Sequence, residues 1–270
     1  VRKTAVVTGS AGSLGRAFAV RLARAGWFVA CVDVNDSGNR ETLRQVVEAG
    51  GEGFCETCDV RDPAQWRKLH DRLRAARPSL DLLVNNAGVA GAGEVGQFPL
   101  DGWQWVLDTN LRSVIVGCHT FAAWLRENPA GARVINVASL AAFAALPSMG
   151  AYNVAKAGVM ALSETLRTEW AETKVGVTVA CPGFFASGLV TAARMMTEEQ
   201  RNFTQRSMDA AGFTADDVAA AALRASERRR MYVVLPRRAH ILWWLKRWFP
   251  RLYLRLLARQ FRIARKRGKI

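Results

Sequence analysis

Short apolar runs alternate with amphipathic stretches along most of the chain. Lys3–Thr8 (KTAVVT) reads as a buried strand, the Gly9–Gly15 segment as a turn, and Arg16–Arg24 as an amphipathic helix. The alternation goes on. Strands are predicted at Trp27–Val32, Gly53–Cys58, Leu80–Val84, Ala132–Val137, Gly176–Ala180 and Met231–Leu235. Helices are predicted at Asp36–Ala49, at Pro63–Ala76 with Pro in the first turn, at Gly102–Glu127, at Tyr152–Glu172, and at Ala215–Glu227 capped near Thr214. Repeated β–α units predict an α/β, Rossmann-type doubly wound fold with a seven-stranded parallel sheet covered on both faces.

The first unit carries chemistry. Strand, glycine turn, helix, strand and a terminal acid, Asp33, form a dinucleotide-binding arrangement. Gly9 and Gly15 let backbone approach a pyrophosphate seated at the helix N-terminus, where free N–H groups and the dipole favour an anion. Asp33 is placed to bind the adenosine ribose hydroxyls and to repel a 2′-phosphate. NAD is therefore expected over NADP.

Tyr152 and Lys156 stand four residues apart, on one face of a predicted helix. An ammonium beside a phenol favours the phenolate, so the Tyr152 pKa is expected to fall from about 10 toward neutrality. That would suit a general acid/base.

Charge divides the chain. Of 38 Lys and Arg residues, fifteen follow Glu227, the last acidic residue, so residues 1–227 hold 23 of each sign. Residues 1–236 read as one domain, neutral up to residue 227, and 237–270 as a basic amphipathic C-terminal helical extension broken at Pro250. Its first half carries Ile241, Leu242, Trp243, Trp244, Leu245, Trp248 and Phe249. In its second half Arg251, Arg255, Arg259 and Arg262 step along one face, and Leu254, Leu257 and Phe261 along another. Three roles suit it: membrane-surface association, packing on the body or on a partner subunit, and nucleic-acid binding, for which no recognition motif is present.

Five scattered cysteines suggest a reducing compartment. Cys55 and Cys58 have metal-like spacing without a second ligand pair, and His70, His119 and His240 form no cluster; no metal site is expected. No signal peptide and no transmembrane span are expected, which predicts a cytoplasmic protein, peripheral to a membrane if the extension binds lipid.

The ordered set Thr8-Gly9…Gly15, Asp59, Asn85-Asn86-Ala87-Gly88, Asn110, Ser139, Tyr152…Lys156 and Pro182-Gly183 resembles the short-chain dehydrogenase/reductase (SDR) family, classical type, over about residues 1–236. The resemblance implies roles. Tyr152 would give or take the substrate hydroxyl proton, and Ser139 would orient the carbonyl. Lys156 would bind the nicotinamide ribose and lower the Tyr152 pKa. Asn110 would hold a water linking Lys156 to bulk proton exchange. Gly9, Ser13, Leu14, Gly15 and Asp33 would hold the dinucleotide, Asp59 and Val60 its adenine, and Asn86, Ala87 and Gly88 the adenine-side ribose. Pro182, Gly183, Phe185 and Ser187 would border the nicotinamide. The chain departs from the family at Ser13, where a second glycine is common, and at Ser187, where Thr is common; both keep a hydroxyl.

The resemblance implies an NAD(P)-dependent oxidoreductase and a homodimer or homotetramer formed through the two long helices. Leu140–Met149 is nearly all apolar, and Phe184, Phe185, Leu189, Met195 and Met196 follow Pro182-Gly183. An apolar pocket is expected, for a hydrophobic secondary alcohol or ketone of lipid-, steroid- or retinoid-like character. The alternative from another class is a catalytically weak dinucleotide sensor or scaffold localised by its basic tail.

Overall fold

The structure is a computed structural model, and it describes residues 1–190, 193–195 and 197–266. In chain order the strands are β1 (Thr4–Thr8), β2 (Phe28–Asp33), β3 (Glu52–Thr57), β4 (Leu82–Asn85), β5 (Gly91–Ala92), β6 (Arg133–Val137), β7 (Gly176–Pro182), β8 (Arg194–Met195) and β9 (Tyr232–Leu235). Seven of them form one sheet in the order β3-β2-β1-β4-β6-β7-β9, parallel throughout, as the β–α alternation predicts. The two-residue strands β5 and β8 pair separately. The helices are α1 (Ser13–Arg24), α2 (Asp36–Glu48), α3 (Pro63–Ala76), α4 (Leu100–Leu107), α5 (Ser113–Glu127), α6 (Ala141–Ala144), α7 (Gly150–Glu169), α8 (Glu198–Asp209), α9 (Ala215–Glu227), α10 (Ala239–Trp248) and α11 (Pro250–Lys266).

Every residue of β1 is buried, because helices cover both sheet faces. Ala5 and Val7 point toward Leu14, Phe18 and Leu22 of α1 and Val218 and Ala222 of α9. Val6 points the other way, with Trp66 and Leu69 of α3, Phe121 of α5 and Val159 of α7. The strict alternation sets the layers. All seven strands end at the same edge of the sheet, so the loops after β1, β2, β4, β6 and β7 gather there. Strand order reverses between β1 and β4, and a crevice opens at that edge.

Three differences from the predicted elements matter. The long helix expected over 102–127 is interrupted by a π turn, Asp108–Arg112, where hydroxyls reach back to helix carbonyls: Thr109 Oγ1 to Trp105 O at 2.8 Å and Ser113 Oγ to Thr109 O at 2.6 Å. π turns recur at functional sites, and this one carries Asn110. Strand β4 starts later than predicted, at Leu82; before it Asp81 bonds through its backbone to Thr4 O and Arg133 N, both at 2.9 Å, while its carboxylate accepts from Thr4 N at 2.8 Å and from Asn128 Nδ2 at 3.1 Å. Helix α8 lies in a stretch where the sequence predicts no element. Met196, one of the residues expected at the apolar pocket, lies outside the described residues.

The basic extension forms two helices separated at Pro250. They dock on the body beside the crevice. The Trp243 ring lies 4.8 Å from Phe143 and 5.0 Å from Tyr232, centroid to centroid. The Tyr253 hydroxyl, buried, donates to Ala144 O at 2.6 Å. Among the described residues no helix is long and apolar enough to cross a membrane.

Candidate active site

The turn after β1 sets one end of the crevice. Gly9 has φ of +66°, a conformation side chains rarely adopt, and a Cβ there would stand 2.8 Å from Ala87 Cα. Gly15 is more confined: its Cβ would fall 2.1 Å from Gly9 O. The two glycines let the turn fold back on α1. No side chain caps the N-terminus of α1, whose first residue is Ser13, leaving N–H groups available to an anion. Thr8 clamps the neighbouring loop: its Oγ1 accepts from Asn86 N and Ala87 N, both at 3.0 Å. Asn86 Nδ2 returns a bond to Thr8 O at 2.9 Å. Thr8 belongs to the motif but was assigned no part in the site. At the end of β2 the Asp33 carboxylate accepts from Ala11 N at 3.0 Å and Asn35 N at 2.9 Å, so the glycine turn and the acid are locked together.

The other end holds Ser139, Tyr152 and Lys156. Tyr152 and Lys156 project from α7 and are buried, and Ser139 follows β6. Ser139 Oγ accepts from Ala141 N at 3.2 Å and lies 3.5 Å from Pro182 O. Lys156 Nζ donates to Val137 O at 2.9 Å and sits 5.7 Å from the Tyr152 ring centroid. Asn110 is fully buried. Its Oδ1 accepts from Val89 N at 2.9 Å and its Nδ2 donates to Val89 O at 2.8 Å. A Cβ on Gly88 would meet Asn110 Oδ1 at 2.7 Å and Lys156 Nζ at 3.5 Å, so these groups form one tight cluster.

The electrostatics correct one expectation. Burial pushes the Tyr152 phenol up to about 12, and its hydrogen bond with Ser139 draws it back only in part. Burial pushes Lys156 down to about 8. The polypeptide alone therefore does not bring the phenol toward neutrality. Desolvation dominates, and the Lys156 ammonium aims an N–H at Val137 O rather than at the phenol oxygen.

One cleft of about 710 Å³ joins the two ends. It is lined by Gly9, Ser13, Leu14, Gly15, Asp33, Asn86, Ala87, Gly88, Asn110, Ser139, Tyr152, Lys156, Pro182, Gly183, Phe185 and Ser187. Of the expected site residues only Asp59 and Val60 do not line it. Arg61 Nη2 holds the Asp59 carboxylate at 2.6 Å, and Val60 is buried in the core. Leu242 of α10 also lines the cleft, a contribution from the extension that the sequence did not signal. The residues present fit a nicotinamide dinucleotide: a glycine cradle too tight for a Cβ, an uncapped helix N-terminus and an acid at the end of β2.

A family model described as short chain dehydrogenase matches residues 3–198. The chain is 33% identical over 229 residues to 3beta-hydroxysteroid dehydrogenase 1 of Eggerthella lenta, covering 84% of this chain and 87% of that protein. It is 33% identical over 184 residues, 68% of its length, to the probable oxidoreductase EphD of Mycobacterium tuberculosis, and spans 31% of that longer protein. Among solved structures it resembles a short chain dehydrogenase/reductase of Burkholderia phymatum in complex with NAD, with 31% identity, a TM-score of 0.83, and coverage of 86% of this chain and 88% of that one.

Proposed function

The chain belongs to the short-chain dehydrogenase/reductase family, oxidoreductases acting on CH–OH groups, and from that premise we propose that it interconverts a hydrophobic secondary alcohol and its ketone, with NAD as cofactor. The observation that carries this is the meeting of Ser139, Tyr152 and Lys156 in the cleft that the glycine turn opens.

In this reading the Tyr152 hydroxyl gives its proton to the carbonyl oxygen during reduction and takes it back during oxidation. The Ser139 hydroxyl, fixed by Ala141 N, orients that oxygen and stabilises the charge that develops on it. Lys156, with a pKa of about 8, stays protonated at neutral pH. Its charge offsets the one left on Tyr152, and it holds the nicotinamide ribose. Asn110, in the same cluster, holds the water that links Lys156 to bulk proton exchange. The nicotinamide, when bound, supplies or accepts the hydride. Gly9, Ser13, Leu14 and Gly15 receive the pyrophosphate, Asn86, Ala87 and Gly88 the adenine-side ribose, and Pro182, Gly183, Phe185 and Ser187 the nicotinamide side.

Tyr152→Phe tests the chemistry: NADH formation from secondary alcohols is expected to disappear while NADH binding persists, and retained turnover overturns the assignment. Preference for NAD rests on Asp33, whose carboxylate lines the cleft. Asp33→Ala is expected to weaken NAD discrimination by about tenfold, since hydrogen bonds to a charged group contribute roughly 1.5–3 kcal/mol. An unchanged NAD/NADP ratio removes that role.

The substrate is hydrophobic because the wall beyond Ser139 is: Leu140, Ala141, Ala144, Leu146, Met149, Phe184 and Leu189 all line the cleft. The relatives named as 3beta-hydroxysteroid dehydrogenases support that class.

Residues 237–270 serve as an extension to the 1–236 domain and attach it peripherally to anionic membrane. On α10 Ile241, Trp244 and Trp248 form an exposed stripe, Trp248 being 69% exposed, and Leu252, Leu256 and Ile263 form another on α11 beside Arg255 and Arg259. Truncation after Pro236 is expected to abolish sedimentation with anionic liposomes; undiminished sedimentation sinks the membrane role. Two copies associate through the outer faces of α5 and α7, where Ile115 and Val154 are exposed. A monomeric mass by light scattering rules this out.

A further inference from the structure

A second cavity of about 720 Å³ lies between the 146–149 loop, α8 and α11. It shares Ala92, Leu146, Met149, Phe184 and Thr204 with the catalytic cleft, so the two spaces adjoin along these residues. Its outer wall is the C-terminal helix, through Leu257, Phe261 and Ala264. These follow Tyr253 along one face of α11, the face turned toward the body, while the arginines stand on the far side. Tyr253 anchors that face to Ala144 O, on the short helix that begins where Ser139 accepts from Ala141 N. The extension is thus tied to the segment that carries the catalytic serine.

The catalytic cleft is lined largely by the residues that suit the dinucleotide. The second cavity has mostly apolar walls, with Arg206 the sole charged lining residue among the described residues. A drug-sized ligand fills a space of this order. We propose that this cavity is a substrate subsite. It receives the apolar chain of an elongated secondary alcohol or ketone whose oxygen lies between Ser139 and Tyr152, and α11 is the element that selects for chain length. The proposal rests on the alcohol–ketone reading above and deepens it. Chain length becomes a property of the C-terminal extension, outside the part of the chain that the family model matches.

The test is equilibrium binding of a homologous series of methyl ketones, by calorimetry, to the full chain saturated with NAD. Affinity is expected to rise about fourfold per added methylene until the cavity is full. In Leu257→Trp the gain should stop at a shorter chain, with the longest ketone bound about tenfold more weakly and the shortest unchanged. Ala264→Trp fills the same wall from a different turn of α11 and should act alike. NAD binding by both variants reports that the body is folded. Flat chain-length dependence in the parent chain, or the same dependence in the parent and both variants, overturns the subsite. The two readings fail differently. Chain-length-dependent binding without NADH-coupled turnover overturns the reaction and leaves the subsite. Turnover with flat dependence overturns the subsite and leaves the reaction.

Discussion

The two ends of the crevice are walled by different material. At the dinucleotide end the walls are backbone and small residues: Gly9 against Ala87, Gly15 against Gly9, and Gly88 against Asn110, each with no room for a further carbon. At the substrate end the walls are side chains drawn from distant parts of the chain: Phe184 after β7, Thr204 on α8, and Leu257 and Phe261 on α11. A backbone wall has one solution, and chemistry common to every dinucleotide can be met by it. A side-chain wall has many solutions, which allows the substrate to differ while the sheet and the glycine turn stay the same.

Alkaline titration should separate the two regions most strongly. Cys31, Cys58, Cys118 and Cys181 lie in the body, and burial pushes each thiol up to about 12 from an ordinary 9. Their folded pKa values exceed the unfolded ones, so their contribution to stability is complete below pH 9 and is lost as pH rises toward 12. Each unit of pH within that window costs about 1.4 kcal/mol per thiol. The extension contains no cysteine. Denaturant midpoints are expected to fall steeply from pH 9 upward, and replacing Cys118 by Ala should flatten the slope. A midpoint independent of pH over that range contradicts the burial of the thiols.

Gly15→Ala acts on the backbone wall. A Cβ only 2.1 Å from Gly9 O cannot be relieved by a rotamer change, so the glycine turn must move. The expected cost is about 3 kcal/mol, at the upper end for overpacking, together with loss of NADH binding by fluorescence titration. Unaltered binding would mean that the turn has more freedom than its contacts allow. No single small-to-large change at the substrate end should cost as much, because side chains there can repack.

The same contrast explains what the sequence made legible. Helices α3 and α9 have the predicted ends because their limits are written in local chemistry: Pro63 after Asp62, and Thr214 paired with Asp217. The glycine turn, Asp33 and the Tyr152/Lys156 pair were likewise readable, since spacing along one element fixes them. The start of β4 was not, because it is set by contacts of Asp81 with Thr4 and Asn128, distant in sequence. The π turn at Asn110 has no composition of its own. The cap of α8 has a local signal too: Thr197 and Gln200 form a capping box at the standard spacing. Leu257 and Phe261 were recognised as an apolar stripe, yet nothing local says which surface such a stripe will meet. Tyr152 fails differently: spacing gave its neighbour correctly, while its pKa depends on burial that spacing does not report.

Tyr253→Phe probes the join between the two regions and should have the smallest effect. Removing one hydroxyl leaves the ring in place and takes away a single bond to Ala144 O. Loss of one hydrogen bond to a buried carbonyl costs about 1 kcal/mol. In a two-state melt that is a small shift, because most of the sheet does not touch α11. The cost should fall unevenly. Amide exchange is expected to speed up in α10 and α11, and to a lesser degree in the segment from Ser139 to Ala144, while β1 and α1 remain as protected as in the parent chain. Exchange that quickens equally in β1 would place the extension inside the same cooperative unit as the sheet. Exchange unchanged in α11 would mean that the Trp243 contacts with Phe143 and Tyr232 hold the extension without the hydroxyl.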